Sequence, residues 1–173
     1  MTQMQHRSSG WPVRAALACV VLVAMLTAGA SRDALASHYR LPADGLVSDD
    51  EHASLTRAKV HTTVDLLERA ARVAAREALA KSSGLSLARL TTLACQVDLL
   101  RVKGLGPSMV RLLHAAGIRH TRDLKGLAAA AVLDRMRAAN SVHEIAPVLP
   151  QEPVIADWIS QAVRLEWLLE GTQ

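Results

Sequence analysis

The sequence predicts an all-α fold, and three observations support that prediction. Hydrophobic residues make up 50% of the 173-residue chain, aromatic residues only 2%, and Phe is absent. The core must therefore be built from Leu, Val, Ile and Ala, and Ala is the strongest helix former. Apolar residues also recur at helical spacing, and no segment shows the alternation that is typical of a strand.

The first 36 residues have the three parts of a secretory signal. The start is basic with no acidic residue, residues 15–30 form an apolar run, and Ala34 and Ala36 give a small-x-small cleavage pattern. We therefore predict a signal peptide over residues 1–36, with cleavage before Ser37. The protein is then exported to the periplasm or the extracellular space.

Three alternatives remain open for this segment. Cleavage after "AGA" would make Ser31 the first residue. The run 15–30 would be an inner-membrane anchor if it stayed uncleaved, although its 16 residues are fewer than the roughly 20 that span a bilayer. Cys19 would be a lipidation site, although the "ALA" before it is a poor lipobox.

The exported part has an almost balanced charge. Residues 37–173 contain 17 of the 20 basic and 15 of the 16 acidic residues, a net charge of +2 with neutral His. This small excess gives little reason to expect an anionic partner. Cys95 is the one cysteine of this part, so it has no intrachain partner, and its apolar helical surroundings predict a buried structural residue.

The helix signals follow one another along the chain. Two capping-box patterns predict helix starts, one at Ser48 with Glu51 and one at Thr62 with Asp65. Gly84 then predicts a helix end.

Two further helices are predicted on either side of a short turn. Ser86 predicts the N-cap of the first, and Gly117 the end of the second. Their apolar positions at helical spacing are Leu90, Leu93, Val97 and Leu100 before the turn, and Met109, Leu112, Leu113 and Ala116 after it.

Three more helices are predicted beyond Gly117. Thr121 is expected to cap the segment "RDLKGLAAA", and another helix is expected through "VLDRMRAAN". Pro147 and Pro150 mark a rigid link, and Pro153 lies near the first turn of the last helix.

An internal repeat appears at an offset of 58 residues. "AKVHTTVDLLERAA" (58–71) aligns with "AGIRHTRDLKGLAA" (116–129). This self-similarity predicts two related helical modules. We expect a first, degenerate repeat over residues 37–83 and a second repeat over 84–173, which contains the intact turn and the C-terminal helix.

The same offset separates the two copies chemically. Gly104 aligns with Leu46 and Gly106 with Ser48, while the residues that follow align with the acidic segment 49–51. The first copy is therefore expected to lack the glycine turn, so that only the second copy can bind an anion there.

Three segments carry a resemblance to a known family: "VDLLRVKGLGPSMVRLLHAAGIRHTRDL" (97–124), "GLSLARL" (84–90) and "PVIADWISQAVR" (153–164). Together they resemble bacterial helix-hairpin-helix proteins catalogued as domain of unknown function 4332 (DUF4332). The resemblance covers about residues 40–170 and departs from the family pattern at 45–51. It implies tandem helix-hairpin-helix (SAM-like) modules packed into one compact unit, and no known reaction.

The turn "KGLGPSMVR" is the candidate site. Its glycines permit positive φ and close approach, so that amide N–H groups at the start of the following helix can face an anion. Ser108 adds a hydroxyl, and three basic side chains can surround a phosphate. The candidate residues are Arg101, Lys103, Gly104, Gly106, Ser108 and Arg111. In the alternative interpretation the glycines only permit a tight helix crossing, with Leu105 in the core.

No pattern indicates catalysis, because HExxH, GxSxG, paired cysteines and a P-loop are all absent from the sequence. We therefore expect no catalytic or metal-binding residue, no cofactor and no small-molecule substrate. The predicted function is a non-enzymatic protein-interaction or scaffold role in the cell envelope. The alternative is weak, sequence-independent DNA binding through the 101–111 hairpin. Membrane contact is expected only through residues 15–30, if that segment stays uncleaved.

Overall fold

The structure is a computed structural model of the chain and describes residues 39–41 and 45–172. The predicted signal peptide and its alternatives fall outside the described residues. Within them the protein is all-helical, as the composition predicted, with eight helices and one isolated β-bridge between Arg40 and Thr62. None of these helices combines the length and the hydropathy that a membrane span needs.

The helices are numbered here in chain order: α1 Asp49–Arg57, α2 Thr63–Ala70, α3 Val73–Ser83, α4 Leu87–Leu99, α5 Pro107–Ala115, α6 Thr121–Leu124, α7 Ala129–His143 and α8 Glu152–Arg164.

The first two helices begin where the sequence places them. The Ser48 hydroxyl accepts a hydrogen bond from the Glu51 N–H (3.3 Å), and the Glu51 carboxylate accepts one from the Ser48 N–H (2.9 Å). Thr62 and Asp65 form the same reciprocal pair at 3.1 and 3.0 Å. Both predicted capping boxes are confirmed, and each satisfies backbone donors that a helix start leaves unpaired.

The sequence signals around α3, α4 and α8 are also confirmed. Gly84 ends α3 in the left-handed region (φ +76°), and the Ser86 hydroxyl caps α4 by accepting the Arg89 N–H at 3.1 Å. Pro153 lies in the first turn of α8.

The segment after Gly117 differs from the prediction. Thr121 is the first residue of α6 rather than its cap, because its hydroxyl donates to Asp98 instead of accepting from the helix start. The expected long helix is also divided: α6 ends at Leu124, and Gly126 turns the chain at φ +82° before α7 begins.

The helix pairing repeats along the chain. In the first four helices, α1 packs on α3, and α4 packs on α2 and α3. In the last four, α5 packs on α7, and α8 packs on α6 and α7. The first residues of α1 and α5, Asp49 and Pro107, are 58 residues apart, and so are their last residues. The offset found in the sequence therefore relates helices of equal length.

Helix α4 connects the two sets. It packs on α2 and α3 of the first set and also on α5 of the second. The sequence boundary assigned this helix to the second repeat, residues 84–173, because it precedes the glycine turn. Its packing on α2 and α3 also groups it with the helices of 37–83. In that set it has the place that α8 has beside α6 and α7.

One hydrophobic core joins the helices. Its large, fully buried side chains include eleven leucines, Ile118 and Ile155. Trp158 of α8 also reaches this core and is 3% exposed. An aliphatic core without Phe follows from the composition and lets the short helices approach one another closely.

Candidate functional site

The glycine turn between α4 and α5 places its backbone close to α8. Gly104 adopts φ +85°, and a Cβ there would lie 3.4 Å from the indole nitrogen of Trp158. The next side chain, Leu105, is fully buried. Glycine is therefore favoured at 104 by the left-handed backbone, while a Cβ there would be in ordinary van der Waals contact with Trp158.

Gly106 plays a different part from the one its sequence suggests. It is the N-cap of α5 with φ −90°, and a Cβ there would meet no atom within 4 Å. The expectation that both glycines serve positive φ is therefore wrong for this one. A side chain is tolerated at 106 because the backbone angle suits any residue and because no atom occupies the space that a Cβ would fill.

The start of α5 exposes unpaired backbone donors. No side chain caps this helix, and Pro107 occupies its first position. The N–H groups of Gly104, Gly106, Ser108 and Met109 have no acceptor within the part of the chain that the structure describes. The positive end of the α5 dipole is thus unfilled, as an anion-binding helix start requires.

Lys103 is the exposed cation of this turn. Its backbone is bracketed by Gln161 of α8, which accepts the Lys103 N–H at 2.8 Å and donates to its carbonyl at 3.2 Å. The same amide group donates to the Asp157 carboxylate at 2.7 Å. Gln161 therefore links the Lys103 backbone to a carboxylate of the same helix.

Arg101 does not face the turn. It is 6% exposed, and its Nη1 donates to Asp98 Oδ1 at 2.7 Å and to the Glu166 carbonyl at 2.9 Å. Its Nε is buried without a hydrogen-bond partner among the described residues. The predicted phosphate contact by Arg101 would require breaking a buried ion pair, so Arg101 leaves the candidate set.

Asp98 was missed by the sequence analysis and organises this side of the protein. It is fully buried, and its Oδ2 accepts the Thr121 N–H at 2.9 Å and the Thr121 hydroxyl at 2.7 Å. With Arg101 it links α4, the start of α6 and the segment after α8. The i, i+3 spacing of Asp98 and Arg101 was the signal available in the sequence.

Arg111 is directed toward the first copy. The side chain is half-buried, and its guanidinium lies against Gly45, where an added Cβ would collide with Nη1. Its Nε is buried and has no partner in the described segments. Of the three cations predicted to surround a phosphate, Lys103 alone is exposed at the turn.

The first copy retains part of the turn, contrary to the expectation. Gly45 adopts φ +81° and Leu46 is 2% exposed. In the second copy, Gly104 likewise has a positive φ and Leu105 is likewise buried. Gly45 and Gly104 are 59 residues apart, and so are Leu46 and Leu105, whereas the helices that follow are 58 apart. The difference arises because the first copy has one additional residue, Val47. A fixed offset therefore aligned Gly104 with the wrong residue.

The helix start of the first copy already holds a carboxylate. Arg89 of α4 donates to both oxygens of Glu51 (2.6 and 2.9 Å) and to the Leu46 carbonyl (2.6 Å). The hydrogen bond from Arg89 is the main cause that holds the pKa of Glu51 below its usual value. The two copies thus differ at one point: α1 has an internal anion at its start, and α5 has none.

A thiol and an imidazole meet in a small cavity but do not form a reactive pair. Cys95 and His114 line a cavity of about 190 Å³. Burial raises the pKa of the Cys95 thiol to about 11 and lowers the pKa of His114. The thiol therefore stays protonated at neutral pH, which fits the predicted structural role. In the described segments no three His, Cys, Asp or Glu side chains are grouped so as to hold a metal ion.

Exposed apolar side chains lie at the end of α7, in the connection to α8 and in the first turn of α8. Val142 and Val148 are 73% and 75% exposed, and Val154 is 45% exposed. The Asn140 side chain accepts the Ala146 N–H at 2.9 Å and donates to the Ala146 carbonyl at 2.8 Å. This pair of bonds holds the connection to the end of α7.

A family model described as "Domain of unknown function (DUF4332)" matches residues 46–165, which include all eight helices. No curated protein and no solved structure matches the chain.

Proposed function

The chain belongs to the DUF4332 family, and from this premise we propose that it is a non-enzymatic binding module whose partner is a protein. The observation that carries the proposal is the placement of the cations around the glycine turn. Arg101 is paired with Asp98 in the interior and Arg111 lies against Gly45. A turn of the phosphate-gripping type therefore keeps one exposed cation, Lys103.

The partner surface that we propose comprises the end of α7, the α7–α8 connection and the first turn of α8, with Val142, Val148 and Val154. Exposed apolar side chains on a fixed backbone bind with a small loss of conformational entropy. The bonds from Asn140 to Ala146 supply that rigidity. The compartment that we propose is the cell envelope, and the predicted signal segment is its basis.

A photo-crosslinking amino acid at position 148 tests this proposal in cells. We expect one discrete protein adduct, because a specific interface brings one partner within reach. The matched control carries the same amino acid at Arg135, an exposed position of α7. Val142→Asp should abolish the adduct from position 148 without loss of helicity. A uniformly empty pattern at 148, or equal adducts at 135, contradicts the proposal.

Sequence-independent DNA binding is the second candidate, and the open start of α5 favours it. Four backbone N–H groups of the turn and the start of α5 lack an acceptor among the described residues, and the first copy fills the corresponding place with its own Glu51 carboxylate. An external phosphate can therefore be bound where the protein supplies no internal anion. With one cation beside it, binding is expected to be weak, with Kd on the order of 10⁻⁴ M.

A gel-shift titration at low salt tests this second candidate. Lys103→Glu should abolish a duplex shift, while Lys81→Glu, at an exposed lysine of α3, should reduce it only slightly. Arg101 is unsuitable for this test because its replacement disrupts the core. An unchanged shift in Lys103→Glu, or no shift for the unaltered protein, contradicts DNA binding at this turn.

A further inference from the structure

A second cavity lies on the first copy, at the turn between α1 and α2. Its volume is about 520 Å³, within the range of small-molecule sites. The residues that line it are Arg40, Leu41, His52, Thr56, His61 and Thr62. Apart from Leu41, every one of them offers a hydrogen-bond donor.

Backbone pairing fixes one wall of this cavity. The Leu41 N–H donates to the His61 carbonyl at 2.9 Å, and the Thr63 N–H donates to the Tyr39 carbonyl at 3.0 Å. The Tyr39 N–H also donates to the Thr63 hydroxyl at 3.1 Å. These bonds hold Arg40 opposite Thr62, beside the turn that carries His61.

Helix α1 supplies the other wall. His52 and Thr56 are four residues apart and therefore lie on one face of the helix. The turn that follows is closed by the Val60 N–H, which donates to the Leu55 carbonyl at 2.9 Å. Donor side chains from two elements thus line the same concavity.

The Arg40 and His52 side chains of this cavity have no internal partner among the described residues, while the His61 imidazole is attracted electrostatically to Asp65. No hydrogen bond or ion pair joins the side chains of Arg40, His52 or His61 to another of the described residues. The carboxylate on the same turn, Asp65, accepts the N–H groups of His61 and Thr62, both at 3.0 Å. It is therefore already satisfied by backbone donors.

The second copy has a smaller cavity at the corresponding turn. Thr56 and His61 correspond to His114 and Arg119 at the 58-residue offset, and both of those residues line the cavity of about 190 Å³. There Gly171 and Thr172 contribute to the wall. The fold thus makes a concavity at each copy, and the one on the first copy is the larger.

The turn next to that smaller cavity also carries internally paired side chains. The Arg119 Nε lies 3.9 Å from the Asp123 carboxylate, and the His120 ring packs edge-on against Trp167, with 4.8 Å between ring centroids. Among the described residues, Arg40 and His52 of the first copy have no comparable hydrogen bond or ion pair.

We propose that the cavity lined by Arg40, His52 and His61 binds a small oxyanion, as free phosphate or as the phosphate group of a small monoester. The guanidinium presents paired donors that match two phosphate oxygens. The imidazoles and the Thr56 hydroxyl supply single donors around the remaining oxygens. The cavity exceeds the volume of a phosphate, which leaves room for the organic part of an ester.

Titration of the full chain with inorganic phosphate, followed by the imidazole resonances in NMR, tests this inference. We expect saturable shifts at His52 and His61 and none at His143, an exposed histidine at the end of α7. Sodium chloride at equal ionic strength serves as the blank. A parallel titration with glycerol phosphate distinguishes a monoester from free phosphate, since the favoured ligand saturates first.

Matched double variants complete the test. Arg40→Gln with His61→Gln should weaken phosphate binding by at least about tenfold, since two charge-assisted contacts are lost. Arg135→Gln with His143→Gln removes the same residue types from exposed positions of α7 and should leave binding unchanged. If a variant loses helicity, His52→Gln replaces it. Equal losses in both doubles, unsaturable shifts, or an equal response to acetate overturn the inference.

Discussion

Asp98 and Arg101 form an ion pair inside the protein, with 2.7 Å between the carboxylate Oδ1 and the guanidinium Nη1. Their side chains are 0% and 6% exposed. The sequence places Arg101 at the surface. In this ion pair it is instead a structural link between α4 and the segment after α8. It also removes the strongest phosphate-binding side chain from the glycine turn.

Removal of one partner of this pair should be more damaging than removal of both. Asp98→Ala leaves the Arg101 guanidinium buried without compensation and is expected to cost about 3–5 kcal/mol of unfolding free energy. Asp98→Leu with Arg101→Met should cost clearly less, because no unpaired charge remains. Urea unfolding followed by far-UV circular dichroism measures both. Equal losses would show that the hydrogen bonds from Thr121, and not charge pairing, are what Asp98 supplies.

The ion pair between Glu51 and Arg89 should make stability depend on acid pH. The pKa of Glu51 is lowered in the folded protein from its ordinary value of 4.5, chiefly by its hydrogen bond with Arg89. A lowered folded-state pKa means that the stabilisation is present above pH 4.5 and is lost as the pH falls through the folded value. The partly exposed pair is worth about 0.5–1 kcal/mol.

Glu51→Gln isolates this contribution. The difference in unfolding free energy between the unaltered protein and the variant should be constant near neutral pH and shrink below pH 4.5. Glu77→Gln, a carboxylate of α3 without a resolved ion pair in the described part, is the matched control. A difference that grows on acidification would contradict the assigned sign.

The fold class was predictable because its signals are local. Capping boxes at Ser48 and Thr62 and the glycine at 84 each act within one helix turn, so the sequence alone specifies them. The site was less predictable because the position and pairing of its side chains depend on residues that are distant in sequence. Arg101 is buried by Asp98 only because Thr121, 23 residues beyond Asp98, fixes that carboxylate.

The direction of Arg111 and the turn at Gly45 were missed for related reasons. Arg111 lies against a residue that is remote in sequence, so helical spacing could place it off the apolar face but not say what it contacts. Gly45 escaped detection because the additional residue Val47 breaks the fixed offset. Helices α1 and α5 align at the 58-residue offset, so the one-residue shift of the turn before them was not visible.

Cys95 should be unreactive in the folded protein. It is 5% exposed and burial raises the pKa of its thiol to about 11. At pH 8 the thiolate fraction is therefore on the order of one in a thousand, and alkylation depends on opening of the fold. Iodoacetamide labelling in a Cys19→Ser background measures this, with urea-unfolded protein as the control. Rapid stoichiometric labelling of the folded protein would contradict a structural role.

The two glycines of the α4–α5 turn should respond in opposite directions to the same substitution. Gly104→Ser places a side chain at φ +85° near Trp158 and is expected to cost about 1–2 kcal/mol, the strain of the left-handed backbone. Gly106→Ser enters open space at an uncapped helix start and should stabilise by about 0.5–1 kcal/mol, as an N-cap hydroxyl does. Thermal unfolding compares the two variants directly.

Because a serine at 106 reproduces the Ser48 cap of the first copy, it also occupies donors that a phosphate would use. If Gly106→Ser stabilised the protein but left a DNA shift intact, the start of α5 would not be the DNA contact. If it destabilised the protein, the open amides would already be satisfied in solution.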